Sequence, residues 1–324
     1  MVPEPALVAR FARDLVALSA PGQSLGIAVS GGPDSLALLL LAAAARPGLV
    51  EAASVDHALR PKSRAETEMV ADLCRQLSVA HEIITIEWEE PPTTAIQERA
   101  REARYAALGD WIEKRGLGAL ATAHHADDQA ETLVMRLNRG SGVRGLAGMR
   151  TVATVPGSAI PLLRPLLGWR RAELEAICAA AGLTPATDPS NVDERFERVR
   201  VRDGLNGADW LDPEAMARSA GHLASADEAI GWAAEQEWDR AVTMGDAHIA
   251  YRPSATPAEI VRRIVARAVA ALAHEGSGEP LRGRDLAPVI AALEAAGTAT
   301  LRGVQCSGGI EWRFSQAPPR RSGD

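Results

Sequence analysis

The sequence predicts an α/β protein built on a parallel, doubly wound sheet, with a smaller, mainly helical domain behind it. Three observations lead there. Through the first 140 residues, apolar runs that read as strands alternate with helix-forming stretches, the pattern of a helix-covered parallel sheet. The apolar run Leu25 to Val29 breaks at Ser30, turns through Gly31 and Gly32, and resumes as an apolar helix from Leu36 to Leu41. Polar clusters at His57 and at His124-His125 fall, like that turn, at the carboxyl ends of strands, where such sheets gather their ligands.

Taken in order, Val50 to Asp56 reads as a second strand and Arg64 to Leu77 as an amphipathic helix. His81 to Trp88 is a third strand, and Thr94 to Lys114 a long helix stopped by Gly116. Leu117 to His124 makes a fourth strand, and Ala126 to Asn138 a helix ending at Gly140. The chain then becomes loop-rich, with a further helix from Trp169 to Ala181 and a loop from Gly182 to Arg195. Helices are expected over Asp212 to Val242, Pro257 to His274 and Arg284 to Ala296, before a short β-like ending from Thr298 to Phe314. A boundary near Gly204 to Asp209 separates a first domain, 1–208, from a second, 209–315; the tail 316–324 is expected to be disordered. No internal repeat is visible.

The composition is that of a globular protein, 47% hydrophobic and 24% charged. No apolar run approaches the roughly 20 residues of a membrane span. Met1 to Pro5 lacks the basic start and apolar core of a signal peptide, so a cytoplasmic location is expected. The three cysteines, Cys74, Cys178 and Cys306, form no C-x-x-C pair, which argues against a zinc ribbon or a cysteine-held cluster. Two lysines stand against 33 arginines, so any cation offered to phosphate is arginine. Net charge is −7, yet Arg136 to Arg202 carries 11 arginines against six acidic residues. A basic segment in an acidic chain is compatible with a localised nucleic-acid footprint.

Ser30-Gly31-Gly32-Pro33-Asp34-Ser35 has the parts of a phosphate cradle. Two glycines admit close backbone approach, two hydroxyls donate, and the following helix presents its positive end. It lacks the Lys-Ser/Thr pair of the Walker motif, and Ser35 stands where the dinucleotide fingerprint needs a third glycine. In Ala126-Asp127-Asp128-Gln129-Ala130-Glu131, the carboxylates of Asp127, Asp128 and Glu131 lie three and four residues apart, on one side of a helix start. Part of that clustering serves the helix dipole; the rest suits a divalent metal, an ammonium group, or both. Arg101 and Arg104, three apart, suit ATP phosphates or an RNA backbone, and equally suit ion pairs with Glu98 and Glu102.

The phosphate loop resembles that of the ATP pyrophosphatases, whose fold is the adenine-nucleotide alpha-hydrolase (PP-loop) sheet. The wider series is similar to the tRNA(Ile)-lysidine synthases: Val55-Asp56-His57-Ala58-Leu59-Arg60, Ala100-Arg101-Glu102-Ala103-Arg104-Tyr105, Ala123-His124-His125-Ala126-Asp127-Asp128, Arg139-Gly140-Ser141-Gly142-Val143-Arg144, Arg164-Pro165-Leu166-Leu167, and Asp188-Pro189-Ser190-Asn191 through Arg198, Arg200 and Arg202. Order and spacing hold from about residue 25 to 202. Val199 departs from the pattern, which often has Asn there.

The resemblance implies that ATP adenylates O2 of the wobble cytidine in a CAU-anticodon tRNA(Ile), and that free lysine then displaces AMP to give lysidine. On that reading Ser30 to Ser35 hold the phosphates, with Asp34 near Mg2+. Asp34, Arg101, His124 and Asp128 are the expected catalytic residues, while Asp127, Asp128 and Glu131 receive lysine. Either His124 or His125 positions phosphate or base. Arg139, Arg144, Arg195, Arg198, Arg200 and Arg202 would grip tRNA. No obligate protein partner and no membrane are expected, and the enzyme would be a monomer or homodimer. The competing readings are a tRNA-thiolating relative, an amide-forming synthetase of the GMP or asparagine type, and a non-catalytic nucleotide- or RNA-binding relative. The first normally brings paired cysteines and the second a glutaminase; the third needs no intact acidic cluster.

Overall fold

The chain begins with helix α1 (Pro5–Val16) and then alternates strand and helix: β1 (Leu25–Ala28), α2 (Pro33–Ala45), β2 (Val50–Asp56), α3 (Ser63–Leu77), β3 (Ala80–Thr85), α4 (Ile96–Arg115), β4 (Ala119–Ala121) and α5 (Ala126–Asn138). A single turn α6 (Val143–Leu146), strands β5 (Val152–Thr154) and β6 (Pro161–Leu163), and helices α7 (Arg171–Ala180) and α8 (Glu197–Asn206) follow. The computed structural model describes residues 2–57, 63–88, 94–186, 195–273, 281 and 283–318, apart from the side chains of 63–66. Ala58 to Arg60, Asp188 to Asp193, His274 and the tail from 319 onward, all included in the sequence reading, lie outside the described residues.

The six strands of the first unit run in the order β3-β2-β1-β4-β6-β5, parallel except for β5 against β6. Strand alternation sends neighbouring side chains to opposite faces. Ala52 packs with Phe11, Leu38 and Ile177 on one face, while Ala53 packs with Tyr105, Leu108 and Trp111 on the other. The sheet is therefore covered on both sides. Leu36 to Ala42 of α2 are all buried, as a helix apolar on every face requires; α1, α3 and α7 pack against it. Order reverses at β1, whose neighbours are β2 and β4, and a crevice opens at the carboxyl ends of such strands. The expected strands and helices of the first 140 residues are present, with β3 and β4 each shorter than the apolar patterns suggest. Two further strands, β5 and β6, come from the stretch read as loop.

The first unit comprises Met1–Ser141 and Gly145–His222; the second comprises Gly142–Arg144 and Leu223–Asp324. The division falls inside α9 (Pro213–Ala241), some way after the composition break near Gly204 to Asp209. The second unit contains β7 (Val242–Met244), β8 (His248–Tyr251), α10 (Ala258–Leu272), α11 (Gly283–Glu294), β9 (Thr298–Leu301), β10 (Val304–Ser307) and β11 (Trp312–Gln316). Its five strands form an antiparallel sheet in the order β7-β8-β11-β10-β9, so the β-like ending belongs to a full sheet beside the helices. Ile249, Tyr251, Val265, Val304 and Phe314 make its core. Gln316 completes β11, and the Ala317 amide donates to Gly303 at 2.7 Å, so order extends past Ser315.

Candidate active site

The loop between β1 and α2 is held by its own hydroxyls. Ser35 Oγ accepts the Ser30 amide at 3.1 Å and donates to the Gly32 carbonyl at 3.0 Å, with Ser30 Oγ 3.2 Å away. Gly31 sits at φ 84°, a conformation that glycine adopts without strain. Its carbonyl accepts the Ala186 amide at 2.9 Å. Gly32 caps α2 in extended conformation with Pro33 in the first turn, leaving the helix's positive end facing the crevice. Asp34 Oδ1 is buried with no hydrogen-bond partner. An orphaned carboxylate oxygen beside a phosphate cradle fits a hard divalent cation that takes its other ligands from substrate phosphates and water. Among the described residues no group of three or more His, Cys, Asp or Glu side chains is placed to hold a metal ion, so these residues offer no complete cage.

At the end of β4, His125 caps α5, and Asp128 Oδ2 accepts the His125 amide at 3.1 Å. Carboxylates surround the ring: Asp34 Oδ2 lies 3.6 Å and Asp128 Oδ2 3.4 Å from Nε2, and Asp127 Oδ2 lies 3.5 Å from Nδ1. Burial opposes a charged ring, but Asp127, Asp34 and Asp128 outweigh it and push its pKa up to about 10. A doubly protonated ring cannot also accept the Asp128 amide, which approaches Nδ1 at 3.3 Å. With three carboxylates around a buried imidazole, the charged form prevails. His124 behaves oppositely. Burial, with Arg164, Arg101 and Arg198 nearby, outweighs Asp128 and lowers it to about 3, so the ring is neutral. Its Nδ1 lies 3.1 Å from Thr122 Oγ1.

The three expected carboxylates are brought together but differently engaged. Asp127 receives the Arg171 amide at 2.8 Å and the Arg170 guanidinium at 3.1 Å, thereby anchoring the first turn of α7. Burial raises its pKa, but His125, Arg170 and the Arg171 amide bring it below the ordinary carboxylate range. Asp128 and Glu131 face α8. Arg198 donates to Asp128 Oδ1 at 2.9 Å and to Glu131 Oε2 at 2.6 Å, and Arg202 donates to Glu131 Oε1 at 2.6 Å. Gln129, also on α5, donates to the Met149 carbonyl at 2.9 Å and accepts its amide at 2.8 Å. A Cβ on Gly148 (φ 64°) would come within 2.4 Å of Gln129 Oε1, so this clamp requires glycine.

A cavity of about 430 Å³ joins the phosphate loop to the start of α5, lined among others by Ser30, Asp34, His57, Arg104, His125 and Asp128, while Asp127 and the buried Glu131 lie behind its lining. That size suits a nucleotide-sized ligand. Arg104, rather than the exposed Arg101, lines it; Arg101 stacks 4.9 Å from the Tyr105 ring. Helical spacing marks both arginines without saying which turns inward. Arg202 also reaches the cavity wall. The expected tRNA arginines divide. Arg139, Arg144, Arg195 and Arg200 are exposed, whereas Arg198 and Arg202 turn into the acidic cluster. Arg144 falls with the second unit.

A family model described as the PP-loop domain matches residues 7–208. The chain is 50% identical over 315 residues to the tRNA(Ile)-lysidine synthase of Novosphingobium aromaticivorans, covering 97% of this chain and 94% of that protein. The chain belongs to the tRNA(Ile)-lysidine synthases. Similarity to the family's Zymomonas mobilis member is 41% over 307 residues, 94% of this chain and 92% of that one. Among solved structures, the U34-tRNA thiolase NcsA from Methanococcus maripaludis, with its [4Fe-4S] cluster, aligns with a TM-score of 0.56 at 15% identity. The match covers 67% of this chain and 78% of that chain, and it supports the shared fold alone. All three cysteines of the present family member are buried, and burial pushes the thiols up to about 12 (Cys74) and about 11 (Cys178 and Cys306). Protonated, enclosed thiols are poor nucleophiles, which counts against the thiolating alternative.

Proposed function

We propose that this enzyme joins free lysine to C2 of the wobble cytidine of a CAU-anticodon tRNA(Ile), at the expense of ATP, so that the tRNA reads AUA as isoleucine. The observation that carries the reading is one cavity lined both by the phosphate loop and by Asp128. Cytidine O2 attacks the α-phosphorus, the bond to the β-phosphate oxygen breaks, and pyrophosphate leaves. The loop from Ser30 to Ser35 and the start of α2 hold the β- and γ-phosphates, and Arg104 offsets charge on the transferring group. Mg2+, held through Asp34, would supply further neutralisation of the phosphates. The bound ammonium first gives a proton to a carboxylate; the neutral amine then attacks C2, AMP departs with O2, and the extra proton on the attacking nitrogen leaves with the departing phosphate.

Asp128 and Glu131 receive the ammonium; a compact cation needs carboxylate neighbours, and these two oppose it across one helix turn. Asp127 contributes through the α7 turn that it anchors. The exposed arginines Arg139, Arg144, Arg195 and Arg200 contact tRNA phosphates. No helix among the described residues is long and apolar enough to cross a membrane, in keeping with work on tRNA in the cytoplasm.

The test is mass analysis of the wobble nucleoside after incubating unmodified transcript with ATP and lysine. A lysine-sized gain, dependent on both, supports the reading. A sulfur-for-oxygen gain with a sulfur donor, or no gain with folded enzyme, overturns it.

A further inference from the structure

The carboxylates assigned to lysine are already occupied. Arg198 spans them, bonding one oxygen of Asp128 and one of Glu131, while Arg202 donates to Glu131 Oε1 at 2.6 Å and, at 3.4 Å, to the Oε2 that Arg198 also holds. Glu131 has 4% of its side chain exposed, so its charge needs a partner at all times. Two guanidiniums face these two carboxylates, and the charged His125 also touches Asp128, so the lysine ammonium meets no free charge. Lysine therefore enters by exchange.

The two arginines are not equivalent. Arg198 is 40% exposed and Arg202 22%. Removing Arg198 frees Asp128 Oδ1 and leaves Glu131 Oε2 with the longer 3.4 Å bond from Arg202 Nη2, so the two oxygens can share one ammonium while Glu131 Oε1 stays paired with Arg202. The helix that carries them is lightly held: along α8, all of it among the described residues, Val199 alone is buried. Its other face exposes Arg200, with Arg195 just before the helix and Arg139 paired to Glu197 at its start. A polyanion drawn to that exposed face brings phosphate oxygens to α8, and these can take the Arg198 guanidinium in place of carboxylates.

We propose that Arg198 gates the amine site and so sets the order of substrates: without tRNA its guanidinium fills the place of the lysine ammonium, and tRNA phosphate draws it out. The gate rests on the assignment of Asp128 and Glu131 to lysine made above. Arg198 is thus a positioning residue whose effect is read in binding order.

Equilibrium binding of L-lysine, measured by calorimetry on the full chain with a non-hydrolysable ATP analogue, tests it. In the unsubstituted enzyme, adding tRNA(Ile) transcript is expected to tighten lysine binding at least about tenfold, a coupling of ordinary allosteric size. Arg198→Gln is expected to bind lysine without transcript nearly as tightly as the unsubstituted enzyme does with it. Equal lysine affinity with and without transcript in the unsubstituted enzyme overturns the gate, even should the variant fold poorly. Weaker transcript-free binding in a folded Arg198→Gln also overturns it, since Arg198 then contacts lysine directly. Lysine binding that survives unchanged in Glu131→Gln, or its absence in every arm, overturns the underlying lysine assignment instead.

Discussion

Asp34 Oδ2 lies 3.6 Å from His125 Nε2, so one imidazole ties the phosphate loop after β1 to the helix start after β4. These are the two strands that flank the order reversal of the sheet. The same ring touches Asp128, which carries the link on to the acidic cluster. His125 thus sits between the phosphate loop and the acidic cluster, in contact with both.

This arrangement has a pH signature. His125 rises from about 6.5 when unfolded to about 10 when folded. Its contribution to stability is therefore complete below about pH 6.5 and is lost as pH climbs toward 10. His124 falls to about 3, so it contributes above about pH 6.5 and loses that contribution as pH drops toward 3. Thermal melts between roughly pH 5 and 10 should peak near neutrality. His125→Gln should flatten the alkaline limb and His124→Gln the acid limb. An alkaline limb unchanged in His125→Gln would contradict the charged ring.

Asp34→Asn keeps the side-chain shape and removes the charge. ATP-dependent pyrophosphate release is expected to fall by about 100-fold or more, the scale of losing a preorganised electrostatic interaction. Transcript affinity, measured separately by filter binding, should change less than twofold, an ordinary distant-site effect of about 0.4 kcal/mol. Loss of both in parallel would mean that Asp34 holds the fold rather than the nucleotide.

Asp127 and Asp128 are neighbours with separate tasks. Removing the Asp127 charge leaves the Arg170 guanidinium and the Arg171 amide short of an acceptor, which costs about 1–3 kcal/mol. Asp127→Asn should accordingly lower Tm while leaving the KM for lysine within a few-fold. Asp128→Asn should raise that KM far more. A variant at Asp127 with unchanged Tm and lost lysine affinity would place Asp127 on the substrate.

Much of this was legible in the sequence because it depends on local order. The turn at Gly31, the apolar run from Leu36 to Leu41 and the carboxylates of α5 are contiguous features whose periodicity reports their faces. What was not legible depends on pairing at a distance. Strands β5 and β6 are three residues each and draw their stability from pairing, β6 on β4 and β5 on β6, not from any pattern of their own. Likewise, Arg198 and Arg200 look alike in the chain. Two residues apart on a helix, they must face different ways, and only the packing of α8 on α5 decides which one meets the carboxylates. Asp127 and Asp128 were split by the same kind of information, since Arg170 lies 43 residues away.

The exposed arginines make the last expectation. Arg139, Arg195 and Arg200 present their side chains to solvent on the first unit. Arg200→Ala should raise the KM for tRNA several-fold with little effect on the KM for ATP, because Arg200 is exposed and does not line the nucleotide cavity. Removing one such phosphate anchor should also lower the slope of log affinity against log salt by about 0.7–0.9, the counterion-release value. Arg198→Gln, engaged with Asp128 and Glu131, should behave differently, with its main effect on lysine. Identical salt slopes for Arg200→Ala and the unsubstituted enzyme would remove Arg200 from the tRNA footprint.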